Sequence, residues 1–282
     1  MNSFSKSLRL MGNNFTITVV SEDRITADCH IDIAIAEIQR IEKLFTTFDP
    51  NSQTNLINEY AGIKPVVVDE EVFKLIERSI TISNLTQGAF DITYGSIDKG
   101  LWNFDTNMTA LPSHEIAKKM VYLINYRNII LNKEQLSVML LNKGMRIGFG
   151  GIGKGYAAEM AKKKLVERNV LSGIINASGD LTTWGTQASG KPWTIGIAHP
   201  DHPSSAFSCL NISGKAIATS GNYEKCIIIN GKKFSHTIDP KTGFPVTGIK
   251  SVTVISNNAE LADAMATPIA VMGIKPGLFM ID

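Results

Sequence analysis

Cysteine is scarce in this chain of 282 residues. Cys29, Cys209 and Cys226 stand far apart and form no CxxC pair. That pattern supports neither a zinc cage nor a disulfide framework, and reduced, buried thiols are the expectation. Charge of one sign is lacking as well: 28 basic residues face 26 acidic ones, a net charge of +2. Such a balance gives no electrostatic case for nucleic acid or an anionic membrane as the main partner. No apolar run approaches the length of a membrane span. Residues 1–20 lack the charged, apolar, small-residue order of a signal peptide, so the chain as given reads as cytoplasmic, with a removed export signal or lipid anchor as the open alternative. No linker-like or low-complexity stretch divides it. What is present is globular: 44% hydrophobic and 19% charged residues, enough for one large domain or two packed lobes.

Alternation at Phe15, Ile17 and Val19 predicts a strand over residues 8–20. Ile31, Ala34, Ile35, Ile38, Ile41 and Phe45 follow helical spacing, which predicts a helix over 28–45. Residues 46–58 are polar and turn-rich, hence a loop. A short strand is expected at 66–68, a helix ending near Gly88, and a third helix over 114–126. Asn142-Lys143-Gly144, between apolar stretches, predicts a hairpin. A helix follows over about 154–168. Strands are then expected at 174–176, 181–184, 193–198, 216–219, 226–229, 234–238 and 252–255. Asn230-Gly231 between two of them is a hairpin signal. A last helix covers 259–271. Hairpins outnumber strand–helix–strand units, so the fold class is α+β with mainly antiparallel sheet.

Five glycines crowd the segment from Gly148 to Gly155, between a strand and a helix. Backbone N–H groups there can approach a ligand closely, and a helix start with Lys154 suits phosphate. The run is neither a Walker loop nor a dinucleotide fingerprint, and on pattern alone a tight strand-to-helix turn explains it equally well. Asn176–Asp180 and Ser220–Glu224 are two further small-residue turns at strand ends. Each alone reads as an ordinary turn; three could converge on one ligand. Asp263 and Thr267 lie at i and i+4, on one face of a helix, and offer hard oxygen ligands such as magnesium takes. The plainer alternative is a threonine bonded to its own helix and an aspartate facing water. Pro268 removes one helix hydrogen bond and leaves the carbonyl of Ala264 without its partner. His236 precedes the turn Asp239-Pro240-Lys241-Thr242-Gly243 and could serve as a general base or as a structural histidine. His30, His114, His199 and His202 have no metal-ligand spacing.

Taken together the segments resemble the ApbE-like flavin transferases. The carriers are Met11-Gly12, Phe48-Asp49-Pro50-Asn51-Ser52, Gly88-Ala89-Phe90-Asp91-Ile92-Thr93 and Gly150-Gly151-Ile152-Gly153-Lys154-Gly155-Tyr156-Ala157. Asn176–Asp180, Ser220–Glu224, His236–Gly243 and Ala262–Thr267 complete the set, so the likeness runs from about Met11 to Gly273 as one domain over residues 1–282. It implies two closely packed lobes with the flavin site between them. It also implies an enzyme that splits FAD, transfers FMN to a threonine or serine hydroxyl of an acceptor flavoprotein, and releases AMP. Magnesium is expected on the Asp263 carboxylate, the Thr267 hydroxyl and a backbone carbonyl at Gly151. Met11, Phe48, Ala89, Phe90, Asp91, Lys154 and Thr237 fall where the family contacts FAD, and His236 matches the candidate base. The chain departs from the family at Gly148, where Asp is frequent, at Glu159, where Asp is common, and at Pro268. It also stops at Asp282, short of a final strand usual in the family.

In that frame the cation would polarise the scissile phosphate, while Lys154 and glycine-run amides held the remaining charge. Met11 and Phe48 would pack on flat rings. Two other readings stand beside transfer: a pyrophosphatase giving FMN and AMP from the same site, and a non-catalytic FAD-binding protein. Oligomeric state is not legible.

Overall fold

A computed structural model describes residues 1–98, 110–202, 205–221, 226–229, 231–235 and 237–280. Strands β1 (Asn2–Leu10) and β2 (Asn13–Ser21) form an antiparallel hairpin where a single strand was expected. The chain reverses at Met11 and Gly12, whose φ angles of 49° and 73° are left-handed. Two such residues make the primed turn that matches strand twist. Most of β1 is exposed, so no apolar alternation marks it. Asp23 caps helix α1 (Arg24–Phe45) by accepting the Thr26 N–H at 2.9 Å. The predicted face of α1 is the buried one, through Ile31, Ala34, Ile38 and Ile41.

Helix α2 (Gln53–Glu59) occupies part of the expected loop. Ser52 accepts the Asn55 N–H at 3.1 Å and so supplies the N-cap that starts it. Strand β3 (Val66–Val67) and helix α3 (Glu70–Leu85) follow as expected. Helix α4 (His114–Val121) stops short of residue 126, because Asn125 caps a separate 3-10 turn over Tyr126–Asn128. Strand β4 (Ile129–Asn132), which the sequence did not announce, pairs with β5 (Ser137–Leu140), and β5 also pairs with β3. The hairpin expected around Asn142-Lys143-Gly144 is therefore not formed. Met145 N–H closes a turn on the Asn142 carbonyl at 3.2 Å, and the next two amides go to side chains: Arg146 N–H to Ser96 Oγ at 2.8 Å and Ile147 N–H to Asn58 Oδ1 at 2.7 Å.

Helix α5 (Gly153–Val166) precedes β6 (Gly173–Ala177), β7 (Asp180–Trp184), β8 (Trp193–Ala198), β9 (Ala206–Ile212) and β10 (Ala216–Gly221). Then come β11 (Cys226–Ile229), β12 (Lys232–Ser235), β13 (Ser251–Ser256), α6 (Ala259–Met272) and α7 (Ile274–Phe279). Strand β9 and helix α7 were not anticipated. The pairing of Ile229 with Lys232 is the one that Asn230-Gly231 predicts; Asn230 itself lies outside the described residues. Helix α6 runs through Pro268 to Met272 without interruption.

The chain divides into two compact units. Unit 1 comprises Met1–Lys43, Ile152–Thr219 and Thr253–Ala266. It is built on the sheet β1-β2-β6-β7-β10-β13, with β8 and β9 as a separate antiparallel ribbon. Leu181, Trp193, Ile195 and Ile217 form one core cluster. Trp184 donates its indole N–H to the Val170 carbonyl at 2.9 Å, and Trp193 donates to the Trp184 carbonyl at 3.1 Å. The start of α6 packs on β10 through Ala216, Ala218, Ala259, Ala262 and Ala266, side chains small enough to allow close approach.

Unit 2 comprises Leu44–Gly151, Ser220–Val252 and Thr267–Asp282. It carries the sheet β3-β5-β4, the ribbon β11-β12 and helices α2, α3 and α4. Met120, Val121, Ile229, Phe234 and Ile238 form a core there. The α+β class with antiparallel pairing is as the sequence predicts. The thiols are not: Cys29 and Cys209 are exposed, on the outer side of α1 and on the two-stranded ribbon, which leaves one face open. Among the described residues no helix is long and apolar enough to cross a membrane.

Candidate functional site

The start of α5 and the first turns of α6 meet in unit 1. Asn258 caps α6 by accepting the Leu261 N–H at 3.1 Å. Glu159, on α5, accepts the Ala259 N–H at 2.9 Å and ties the same helix start down. Asp263 is thereby turned inward; it is 6% exposed. Its Oδ2 accepts the Gly155 N–H at 2.9 Å. Asp263 thus caps the N-terminus of α5, where orphan amides and the positive end of the helix favour a carboxylate. Gly155 is required by this contact. A Cβ there would lie 2.2 Å from the Ala259 carbonyl oxygen and 2.7 Å from the Asp263 Cβ. One glycine of the run therefore serves helix packing rather than a ligand.

Lys154, in the first turn of α5, is ion-paired with Asp180 of β7. Asp180 is 5% exposed and also accepts the Thr219 N–H at 3.3 Å. Two buried carboxylates, Asp180 and Asp263, thus face one ammonium. Burial pushes the Asp263 carboxyl up to about 6; Lys154 and the amides of Gly155 and Lys154 oppose that rise, and Asp180 adds to it. Asp263 and Thr267 stand one turn apart on α6, as their spacing requires. The Thr267 hydroxyl lies 3.4 Å from Ser220 Oγ, so it is not spent on a carbonyl of its own helix.

The remaining candidates differ in their surroundings. Met11 is the tip of the β1–β2 hairpin. In unit 2, Phe48 is 95% exposed, a large ring open to solvent. Ala89 and Phe90 are buried, and a Cβ on Gly151 would lie 3.6 Å from Phe90 Cε2. The Asp91 carboxylate is committed to its own unit. It accepts the Thr93 N–H at 2.8 Å, the Thr93 hydroxyl at 2.6 Å and the Tyr126 N–H at 2.8 Å. Burial raises its pKa against those bonds. Thr237 is buried, and its carbonyl accepts the Val246 N–H at 2.9 Å. His236 lies outside the described residues. Asp239, the carboxylate near it in sequence, accepts the Lys241 N–H at 2.9 Å and the Thr242 hydroxyl at 3.0 Å, closing its own turn. Asp91, Lys118, Tyr122, Tyr126, Arg127 and Lys241 line an open cavity of about 460 Å³ in unit 2.

The glycine run and the Asn176–Asp180 turn do meet, through Lys154 and Asp180. Of the third turn, Ser220 reaches Thr267, while residues 222–225 lie outside the described residues. Sequence reasoning singled out neither Asp180 nor Glu159 for a role. Asp180 had a signal, a carboxylate closing a small-residue turn that opens a buried strand. Glu159 had none, since its partner amide is 100 residues away.

The ApbE family model matches residues 11–282. A relative named FAD:protein FMN transferase, from Klebsiella pneumoniae (strain 342), is 31% identical over 276 residues, which cover 97% of this chain and 84% of the relative. The solved ApbE protein from Thermotoga maritima superposes with a TM-score of 0.88 at 30% identity, over 99% of this chain and 90% of that one. A flavinyl transferase ApbE from Pseudomonas stutzeri shares the fold, with a TM-score of 0.84 at 24% identity, over 99% and 88% of the two chains. With the family pattern spanning nearly every residue and the same fold in a solved member, the chain belongs to the ApbE family.

Proposed function

We propose that this chain is an FAD:protein FMN transferase that moves FMN from FAD to a threonine or serine hydroxyl of an acceptor flavoprotein and releases AMP. The observation that carries the reading is the buried cluster of Asp263, Lys154 and Asp180 at the start of α5, in a chain whose relatives are named FAD:protein FMN transferase. A phosphoryl-type transfer asks for charge neutralisation and positioning more than for covalent chemistry.

The residues present fit a hard divalent cation. Two buried carboxylates against one ammonium leave a negative charge that burial disfavours, and carboxylate and hydroxyl oxygens are the donors magnesium takes. Asp263, Thr267 and the Gly151 carbonyl would hold it. When bound, it supplies Lewis-acid polarisation of the phosphate and steadies the leaving group.

The chain's own groups do the rest. Lys154 places an ammonium at a helix N-terminus, where the amide ends of α5 add positive potential. Met11 and the open ring of Phe48 cover flat ring surfaces of FAD. Ala89, Phe90 and Thr237 line the FAD site. Asp91 does so through its backbone, its carboxylate being committed elsewhere. His236 takes the proton from the incoming hydroxyl.

The test is to mix purified protein, FAD, magnesium and candidate acceptor domains. We expect covalent flavin on the acceptor by mass spectrometry, with AMP in equal amount. AMP release without acceptor at the same rate would make the protein a pyrophosphatase. FAD intact after hours, with magnesium present, would make it a flavin-binding protein.

A further inference from the structure

We propose that Asp180 is a positioning residue of the transfer reaction: its carboxylate holds the Lys154 ammonium in place for the FAD phosphates. The inference rests on the reading of Lys154 as an FAD contact.

Lys154 stands where a cation is least welcome. It lies in the first turn of α5, at the positive end of the helix dipole. A free lysine there would swing outward to solvent, since its stem has four rotatable bonds and its charge is strongly hydrated. The chain prevents this with an anchor. β6 and β7 are joined by a two-residue turn, Ser178-Gly179, with φ angles of 57° and 104°, and Asn176 Oδ1 accepts the Gly179 N–H at 2.8 Å. Ala177 then pairs with Asp180 as the first rung of the hairpin. β7 lies inside the six-stranded sheet, between β6 and β10; the Asp180 backbone pairs on the β6 side, and the rungs to β10 begin at the next residue, Leu181. One oxygen of its side chain takes the Thr219 N–H from β10 and the other takes Lys154.

A carboxylate so fixed defines where the ammonium rests. It also explains why a buried aspartate closes a turn that any small polar residue could close. Asp263, the other carboxylate beside Lys154, is occupied with the Gly155 amide. Asp180 therefore supplies the orientation.

FAD affinity, read as flavin fluorescence quenching at fixed magnesium, tests this in a double-mutant design. Lys154→Met is expected to weaken FAD binding roughly tenfold or more, the scale of one charged hydrogen bond. Asp180→Asn should weaken it to a similar degree, and the double variant should be no worse than Lys154→Met alone. Wild-type affinity in Asp180→Asn, with Lys154→Met impaired, overturns the proposal. So do losses that simply add. Wild-type affinity in Lys154→Met removes the FAD reading of that lysine and the proposal with it, a result distinct from the other two. Should Asp180→Asn fail to fold, Asp180→Glu carries the comparison. It keeps a carboxylate for Lys154, so its loss must be smaller than that of Lys154→Met; an equal or larger loss overturns the role.

Discussion

Asp263 does two jobs with one carboxylate, and they pull its proton in opposite directions. As the cap of α5 it is better charged; as a buried group beside Asp180 it is better neutral. Burial wins, and its pKa rises from 3.8 to about 6. The linkage follows. A carboxyl with a raised folded pKa contributes most stability below its unfolded value, and that contribution is lost as pH climbs through the folded one. In chelator, the stability of wild type relative to Asp263→Asn should therefore fall between about pH 4 and 6 and stay level above. Magnesium at about one hundred times its Kd should return about 2.7 kcal/mol to wild type and nothing to the variant. Thermal melts over this pH range, with and without the ion, read both effects. A variant stabilised by magnesium as much as wild type would remove Asp263 from the metal site.

Between elements, the close contact is α5 against the start of α6. Gly155→Ala sets two magnitudes against each other. Alanine gains about 1 kcal/mol of helix propensity over glycine. The added carbon would sit 2.2 Å from the Ala259 carbonyl, and such overpacking costs about 3 kcal/mol or more. We expect a net loss near 2 kcal/mol and a Tm lower by roughly 5 °C; an unchanged Tm would mean that the helices part easily. Elements were legible in the sequence where one face is apolar and the partner is near. The α1 face and the β11–β12 hairpin are examples. They were illegible where distant side chains decide. Residues 145–147 look like a strand, but the Asn142 carbonyl takes the first amide and the Ser96 and Asn58 side chains take the other two. β1 has almost no buried face, and its turn carries no residue pair that marks one.

For the whole molecule, the near balance of charge is the quantity that matters. With a net charge of +2 there is little long-range field to steer an acceptor. Raising ionic strength from about 0.05 to 0.2 M, which shortens the screening length to below about 10 Å, should change the second-order rate of flavin transfer less than about threefold. A tenfold fall would point instead to local cations such as those around the unit 2 cavity. At this scale the candidate site was only half legible. Helical spacing singled out Asp263 and Thr267 and the glycine run Lys154, and the family motifs gave them their expected roles. That Lys154 leans on Asp180, and that Glu159 ties down α6, are contacts across long stretches of sequence which no spacing rule encodes.

The two indoles of unit 1 have an optical consequence. Trp184 and Trp193 are buried and both donate to backbone carbonyls, so their emission should lie toward the blue and shift red when unit 1 opens. The third tryptophan, Trp102, lies outside the described residues. A Trp102→Phe protein would have tryptophan emission belonging to unit 1 alone, an intrinsic dye against which the loosening of one half of the chain can be timed.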